Sequence, residues 1–102
     1  MSNKFDFDEI IPVVGNKFLN VTPNKDDKNI LLIKEDNNKH DSDAVAIYSK
    51  RKNGLVKLGY IIRDKNVYVR NIMDNIKTLR LIRSSDKNID GDYYYYLAIN
   101  LN

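Results

Sequence analysis

The run Asp36-Asn37-Asn38-Lys39-His40-Asp41-Ser42-Asp43 is the densest set of polar side chains in the sequence and holds its only histidine. Catalysis by such residues needs a nucleophile beside a base, or paired carboxylates with separated pKa values. His40 and Asp41 do not form a dyad by adjacency, because neighbours on an extended chain point to opposite sides. The four glycines build no phosphate-cradling loop, and the chain has no cysteine to serve as nucleophile or zinc ligand. A calcium loop of the EF-hand type begun at Asp36 requires Gly at position 41 and a bidentate Glu at 47. The sequence has Asp41 and Ile47 there, and the flanks read as strands. The expectation is therefore no enzyme activity, no catalytic residues, no metal and no cofactor. Recognition is the chemistry that remains.

Short β-type runs frame this polar turn. Residues 29–35 and 44–50, rich in Ile, Leu and Val, read as the strands that enter and leave it. Ile10 to Leu19 reads as an earlier strand, with Pro12 near its start and Gly15 as a bulge or bend. Asn20–Lys28 is a turn-rich connection. Arg51-Lys52-Asn53-Gly54 reads as a hairpin turn, the Asn-Gly pair supplying positive φ, and 55–62 as a fourth strand. Asp64 is a candidate cap for a helix over 65–75, on which Val69, Ile72, Met73 and Ile76 recur at helical spacing. Leu79, Leu81 and Ile82 mark a fifth strand. Ser84–Gly91 is a polar turn, and Asp92–Leu101 a sixth strand. Six strands and one helix, inserted at about 64–75 between strands 4 and 5, predict a mainly β fold: a small OB-like barrel.

A length of 102 residues allows one domain, with the polar stretch 1–8 as a flexible arm on which Phe5 and Phe7 alternate. No apolar run approaches the roughly 18 residues that span a bilayer. The first residues also lack the basic-then-apolar layout of a signal peptide. These features predict a cytoplasmic, soluble protein without a membrane partner. Seventeen Lys and Arg against fourteen Asp and Glu give a net charge of +3, a mild bias that permits a nucleic-acid partner without requiring one. The plentiful Asn, Lys, Ile and Tyr suit an AT-rich coding sequence, so lysine abundance alone is no evidence for DNA binding.

Two motifs carry a resemblance. The turn from Asn38 through His40-Asp41-Ser42-Asp43-Ala44-Val45, followed by Leu58-Gly59-Tyr60-Ile61-Ile62-Arg63, resembles the HIRAN domain. That family reads N-x-(aromatic or His)-D-x-(N or D)-A-hydrophobic and then G-Y-I-x-(K or R). Val13 to Phe18 agrees more loosely. The resemblance implies an OB-like barrel with an appended helix that binds the ends of single-stranded DNA. It occurs fused to DNA translocases and as small stand-alone bacterial or phage proteins.

On that resemblance the DNA-binding residues are Lys17, Phe18, Asn38, His40, Asp41, Tyr60 and Arg63. Lys17 and Arg63 take phosphates, while Phe18 and Tyr60 supply rings. Asp41 accepts a hydrogen bond from a free 3′-hydroxyl and would repel a 3′-phosphate. His40 stands where the family commonly has Tyr, and Asn38 reads a base edge or closes the turn. Ile62 departs from the proline often found before the cation. The implied partners are single-stranded DNA with a free 3′ end and a DNA-processing protein, in repair or replication-fork processing, with the chain a monomer. The other reading of the same barrel is a protein- or RNA-interaction module, in which Asp41 caps local N–H groups and is purely structural. Outside the motif, Tyr93-Tyr94-Tyr95-Tyr96 must place two rings on each face of a strand. Lys77, Arg80 and Arg83 read as a basic edge or a solvated strand face.

Overall fold

The computed structural model describes residues 6–15, 19, 23 and 27–102. Among the described residues six strands appear in chain order: β1 (Glu9–Val14), β2 (Ile30–Lys34), β3 (Val45–Arg51), β4 (Gly54–Ile61), β5 (Ile76–Lys87) and β6 (Tyr93–Leu101). All pair antiparallel in one sheet of order β2-β3-β4-β1-β6-β5, curled into an open, OB-like half-barrel. Its two edge strands, β2 and β5, approach one another without pairing, and Ile30, Leu32, Met73, Ile76 and Leu79 line the groove between them. One α-helix, α1 (Asn66–Ile72), lies between β4 and β5, flanked by the 3-10 turns Arg63–Lys65 and Met73–Asn75.

The core is built from the inward positions of alternating strands. Ile11, Val45, Ile47, Leu58, Ile61, Leu97 and Ile99 are almost wholly buried. Val69 is the one fully buried apolar side chain of α1 and packs on the same cluster. Full burial of a valine stabilises by about 1.5–3 kcal/mol, enough to hold so short a helix against the sheet. Along β6, Tyr95 pairs with Val13 and faces inward with Tyr93, while Tyr94 and Tyr96 take the other face. Among the described residues no helix is long and apolar enough to cross a membrane.

Several boundaries differ from the sequence expectations, each for a local reason. Strand β1 ends at Val14 because Gly15 turns the chain at φ 81°. Pro12 sits in the middle of β1, opposite Tyr96, rather than harmlessly near a strand start. Its carbonyl accepts Ile62 N at 3.2 Å, yet it has no N–H to return. The Ile62 carbonyl instead accepts Lys65 N at 2.9 Å and so begins the turn that leads into α1. Asp64 makes no side-chain cap; it lies within the first 3-10 turn, and Lys65 is the residue that precedes α1.

Ile76 belongs to β5, not to the helix. That strand runs on through the expected polar turn to Lys87, which pairs with Tyr93 across a register shift. The turn itself needs only residues 88–92, because Asn88 closes it: its side-chain oxygen accepts the amides of Asp90 and Asp92 at 2.9 and 3.0 Å. In the β3–β4 hairpin the two loop residues are Lys52 and Asn53. Gly54, at φ 122°, already pairs with Arg51. Asp8, in the stretch expected to be an arm, donates its amide to Ile99 O at 3.0 Å and accepts Leu101 N at 2.7 Å.

Candidate nucleic-acid interface

The loop between β2 and β3 closes on itself before any other element touches it. Glu35 N donates to Ala44 O at 2.9 Å across the neck, Asn38 N to Glu35 O at 3.1 Å, and Ala44 N to Asp41 O at 3.1 Å. Asn38 Oδ1 accepts the amides of His40 and Asp41 at 2.9 and 3.1 Å, the geometry for which short polar side chains are favoured in turns. Asp41 Oδ1 accepts Asp43 N at 2.9 Å. The spacing Asn-x-His-Asp-x-Asp is thus a folding instruction, because two side chains supply acceptors to backbone donors that the sharp bends would orphan.

Two neighbouring elements then fix the loop from either side. On β4, the Tyr60 hydroxyl donates to Glu35 Oε1 at 2.9 Å, and Asn38 Nδ2 donates to the same oxygen at 3.1 Å. Lys57 Nζ lies 2.6 Å from Glu35 Oε2 and donates to the Tyr60 hydroxyl at 3.0 Å. Partial burial pushes the Glu35 carboxyl up, but the hydrogen bonds from Lys57, Asn38 and Tyr60 together outweigh it and hold the pKa below the ordinary 4.5. The hydrogen bond to Glu35 outweighs burial at Lys57 and pushes its pKa well above the ordinary 10.5. The pair is therefore fully charged across the neutral range. From the helical side, Asn66 Nδ2 donates to Asp41 Oδ2 at 2.7 Å, and Arg63 Nε stands 3.8 Å from that oxygen.

Five of the seven residues singled out in the sequence accordingly form one connected assembly. Tyr60 reaches Asn38 through Glu35, Asn38 holds the backbone of His40 and Asp41, and Asp41 meets Arg63. Lys17 and Phe18 lie outside the described residues. Gly15, two residues before Lys17 in sequence, sits against the Tyr60 ring: a Cβ at Gly15 would come within 3.2 Å of Tyr60 Cδ2. The Arg63 side chain is 79% exposed, whereas that of Asp41 is 18% exposed. Arg63 is consequently free to meet an anion, and Asp41 is an oriented acceptor. A carboxylate has about four acceptor positions, so the bonds from Asp43 and Asn66 leave capacity for a ligand hydroxyl. His40 stands exposed in the same loop.

Four further residues build the assembly without having been assigned a role in the sequence: Glu35, Lys57, Asn66 and Arg70. The i, i+4 spacing of Asn66 and Arg70 places them on one helix face. That is a signal that they act together, although not that their target lies in a loop about 25 residues earlier. A second group of rings and cations lies on the β5–β6 hairpin, where the Arg83 guanidinium is 4.1 Å and Lys87 Nζ 5.1 Å from the Tyr93 ring centroid. Arg83, expected at a basic edge, is thus partnered by a ring. Among the described residues no three His, Asp or Glu side chains are grouped to hold a metal ion.

Residues 8–100 match the HIRAN domain family. No curated protein and no solved structure matches the chain.

Proposed function

The chain belongs to the HIRAN domain family, a family of DNA-binding modules, and on that premise we propose that it grips the free 3′ end of single-stranded DNA. It does so by binding alone, without catalysis. Asp41 is the reader of the end: its carboxylate accepts a hydrogen bond from a terminal 3′-hydroxyl and repels a terminal phosphate. Arg63 and Lys17 meet backbone phosphates. Tyr60, Phe18 and His40 offer ring surface, and Asn38 keeps the loop in shape. The observation that carries the reading is the Asp41 carboxylate, anchored on one side by Asp43 N and on the other by Asn66, beside an exposed guanidinium. A fixed anion next to an exposed cation suits a ligand that presents a hydroxyl and a phosphate a short distance apart, as the last nucleotide of a strand does. A domain of this kind serves repair or fork processing by delivering a DNA-processing protein to an end, or by occupying the end itself.

The test is fluorescence anisotropy with a short labelled oligonucleotide carrying a 3′-hydroxyl or a 3′-phosphate, repeated with Asp41→Ala. Tighter binding to the hydroxyl end, lost in the variant, supports end reading by Asp41. Equal binding to both ends leaves a generic groove and sinks the end-reading role.

A second reading has its own observation. The bonds of Asn38 and Asp41 to nearby amides are those of a self-capped turn. On this reading the loop is structural, and the barrel receives a protein or a folded RNA. Failure of both oligonucleotides to bind would favour it.

A further inference from the structure

We infer that Asn66 and Arg70 of α1 are positioning residues that set the Asp41 loop in its binding geometry before DNA arrives; this rests on the end-recognition reading above. Arg70 works as a clamp. Its Nε donates to Asp43 O at 2.7 Å, its Nη2 to Ser42 O at 3.1 Å and to Ala44 O at 2.9 Å, and its Nη1 to Asp36 Oδ1 at 2.8 Å. One guanidinium thereby gathers three successive carbonyls of the outgoing limb and a carboxylate of the incoming limb. Carbonyl oxygens brought together in this way repel one another unless a multidentate donor stands among them. The rigid fork of arginine supplies that donor set, and a lysine ammonium does not. The Arg70 side chain is only 17% exposed, so it is occupied with the loop and not presented to a phosphate.

Asn66 acts one turn earlier and on the carboxylate itself. It is 3% exposed, and its Nδ2 grips Asp41 Oδ2 while its Oδ1, also buried, has no hydrogen-bond partner. Buried acceptors are seldom left unpaired in folded chains. Asn66 is thus a poor choice for stability alone, and what its place in the site uses is the amide nitrogen. With one Asp41 oxygen held by Asp43 N and the other by Asn66, the carboxylate cannot rotate freely, and its remaining lone pairs keep a fixed direction. A loop already ordered in the free protein loses less entropy on binding. End discrimination is in this way set partly by two helix residues that do not touch DNA.

The experiment compares the intact chain with Arg70→Met, Arg70→Lys and Asn66→Ala. Affinities for the 3′-hydroxyl and 3′-phosphate oligonucleotides are read against salt, and amide hydrogen exchange over residues 36–44 is read without DNA. Arg70→Met is expected to weaken hydroxyl-end binding roughly tenfold and to speed exchange through the loop. The slope of affinity against salt stays unchanged, because no phosphate contact is lost. Arg70→Lys does not rescue. Asn66→Ala keeps the loop protected and lowers the hydroxyl-over-phosphate preference, so it carries the test should Arg70→Met fail to fold. Folded variants with the original affinity and preference would overturn the inference, as would a lowered salt slope in Arg70→Met, which would make Arg70 a phosphate ligand. If the unmodified chain itself shows no preference between ends, the end-recognition reading fails first and takes the inference with it.

Discussion

Lys57 Nζ stands 2.6 Å from Glu35 Oε2, with the ring centroids of Tyr48 and Tyr60 at 5.7 and 5.1 Å. This pair ties β4 to the neck of the recognition loop, and its protonation has a definite pH signature. Glu35 has a depressed pKa, so its contribution to stability is complete above the ordinary 4.5 and is lost as pH falls through the lower folded value. Lys57 has a raised pKa, so its contribution is complete below the ordinary 10.5 and is lost as pH rises through the higher folded value. Between about pH 5 and about pH 10 the pair therefore adds no slope to stability. Thermal unfolding of the chain and of Glu35→Gln should differ most on the neutral plateau and converge in acid. Parallel curves down to strong acid would show that Glu35 is not linked to folding.

Arg63 and Lys17, the two proposed phosphate contacts, are separable from Asp41 by their salt response. A cation on a phosphate contributes to the slope of log affinity against log salt, roughly 0.7 per contact on a single strand. Arg63→Ala should shallow the slope by about that amount and weaken hydroxyl and phosphate ends alike. Adding Lys17→Ala should shallow it by a similar step. Asp41→Ala should leave the slope alone while changing end preference. An unchanged slope in the double variant would place the phosphate track elsewhere.

Much of this architecture is legible in the sequence because it is written locally. Alternation of apolar residues marks the strands. Asn38 and Asp41 announce a self-capped turn, and the Asn38–Ala44 and Gly59–Arg63 motifs are close enough in sequence to be read as a unit. The parts that escape are those settled by partners far along the chain. Asn66 and Arg70 are ordinary helix polar residues until the helix is docked by Val69. Glu35 is an ordinary strand-end carboxylate until Tyr60 and Lys57 arrive. The polar stretch from Ser84 to Lys87 reads as a turn by composition, yet stays extended because pairing with β6 outweighs its weak local preference. Pro12 is informative only once its neighbour Ile62 is known.

A partly buried ion pair outside the interface anchors the approach to β2. Asp27 accepts Arg51 Nε and Nη2, each at 2.8 Å, one on each oxygen, and also accepts the hydroxyl of buried Ser49 at 2.7 Å. Asp27→Ala removes the acceptor of all three of these bonds. Losing such charge-assisted hydrogen bonds costs about 1.5–3 kcal/mol, and a domain of this size loses roughly 4–8 °C in Tm per kcal/mol. Asp27→Asn keeps the shape and should fall between the two. A melting temperature unaffected by Asp27→Ala would mean that the carboxylate is not what holds Arg51 and Ser49 in place.

Gly15 joins stability to the interface. At φ 81° it has a backbone that side chains with a Cβ adopt at a cost of about 1–2 kcal/mol. A Cβ there would also press on Tyr60 Cδ2 at 3.2 Å. Gly15→Ala meets both penalties. Gly15→Asn meets the same ring contact but tolerates positive φ better, since short polar side chains visit that region. If backbone strain dominates, Asn should recover most of the melting temperature lost with Ala. If displacement of Tyr60 dominates, both variants should weaken DNA binding equally, even at temperatures where each is fully folded. Tyr60→Phe completes the comparison: it keeps the ring and removes the hydroxyl bond to Glu35. Weakened binding in Tyr60→Phe as well would assign the effect to the loop that Glu35 holds. Intact binding there, with loss in both Gly15 variants, would assign it to the ring face itself.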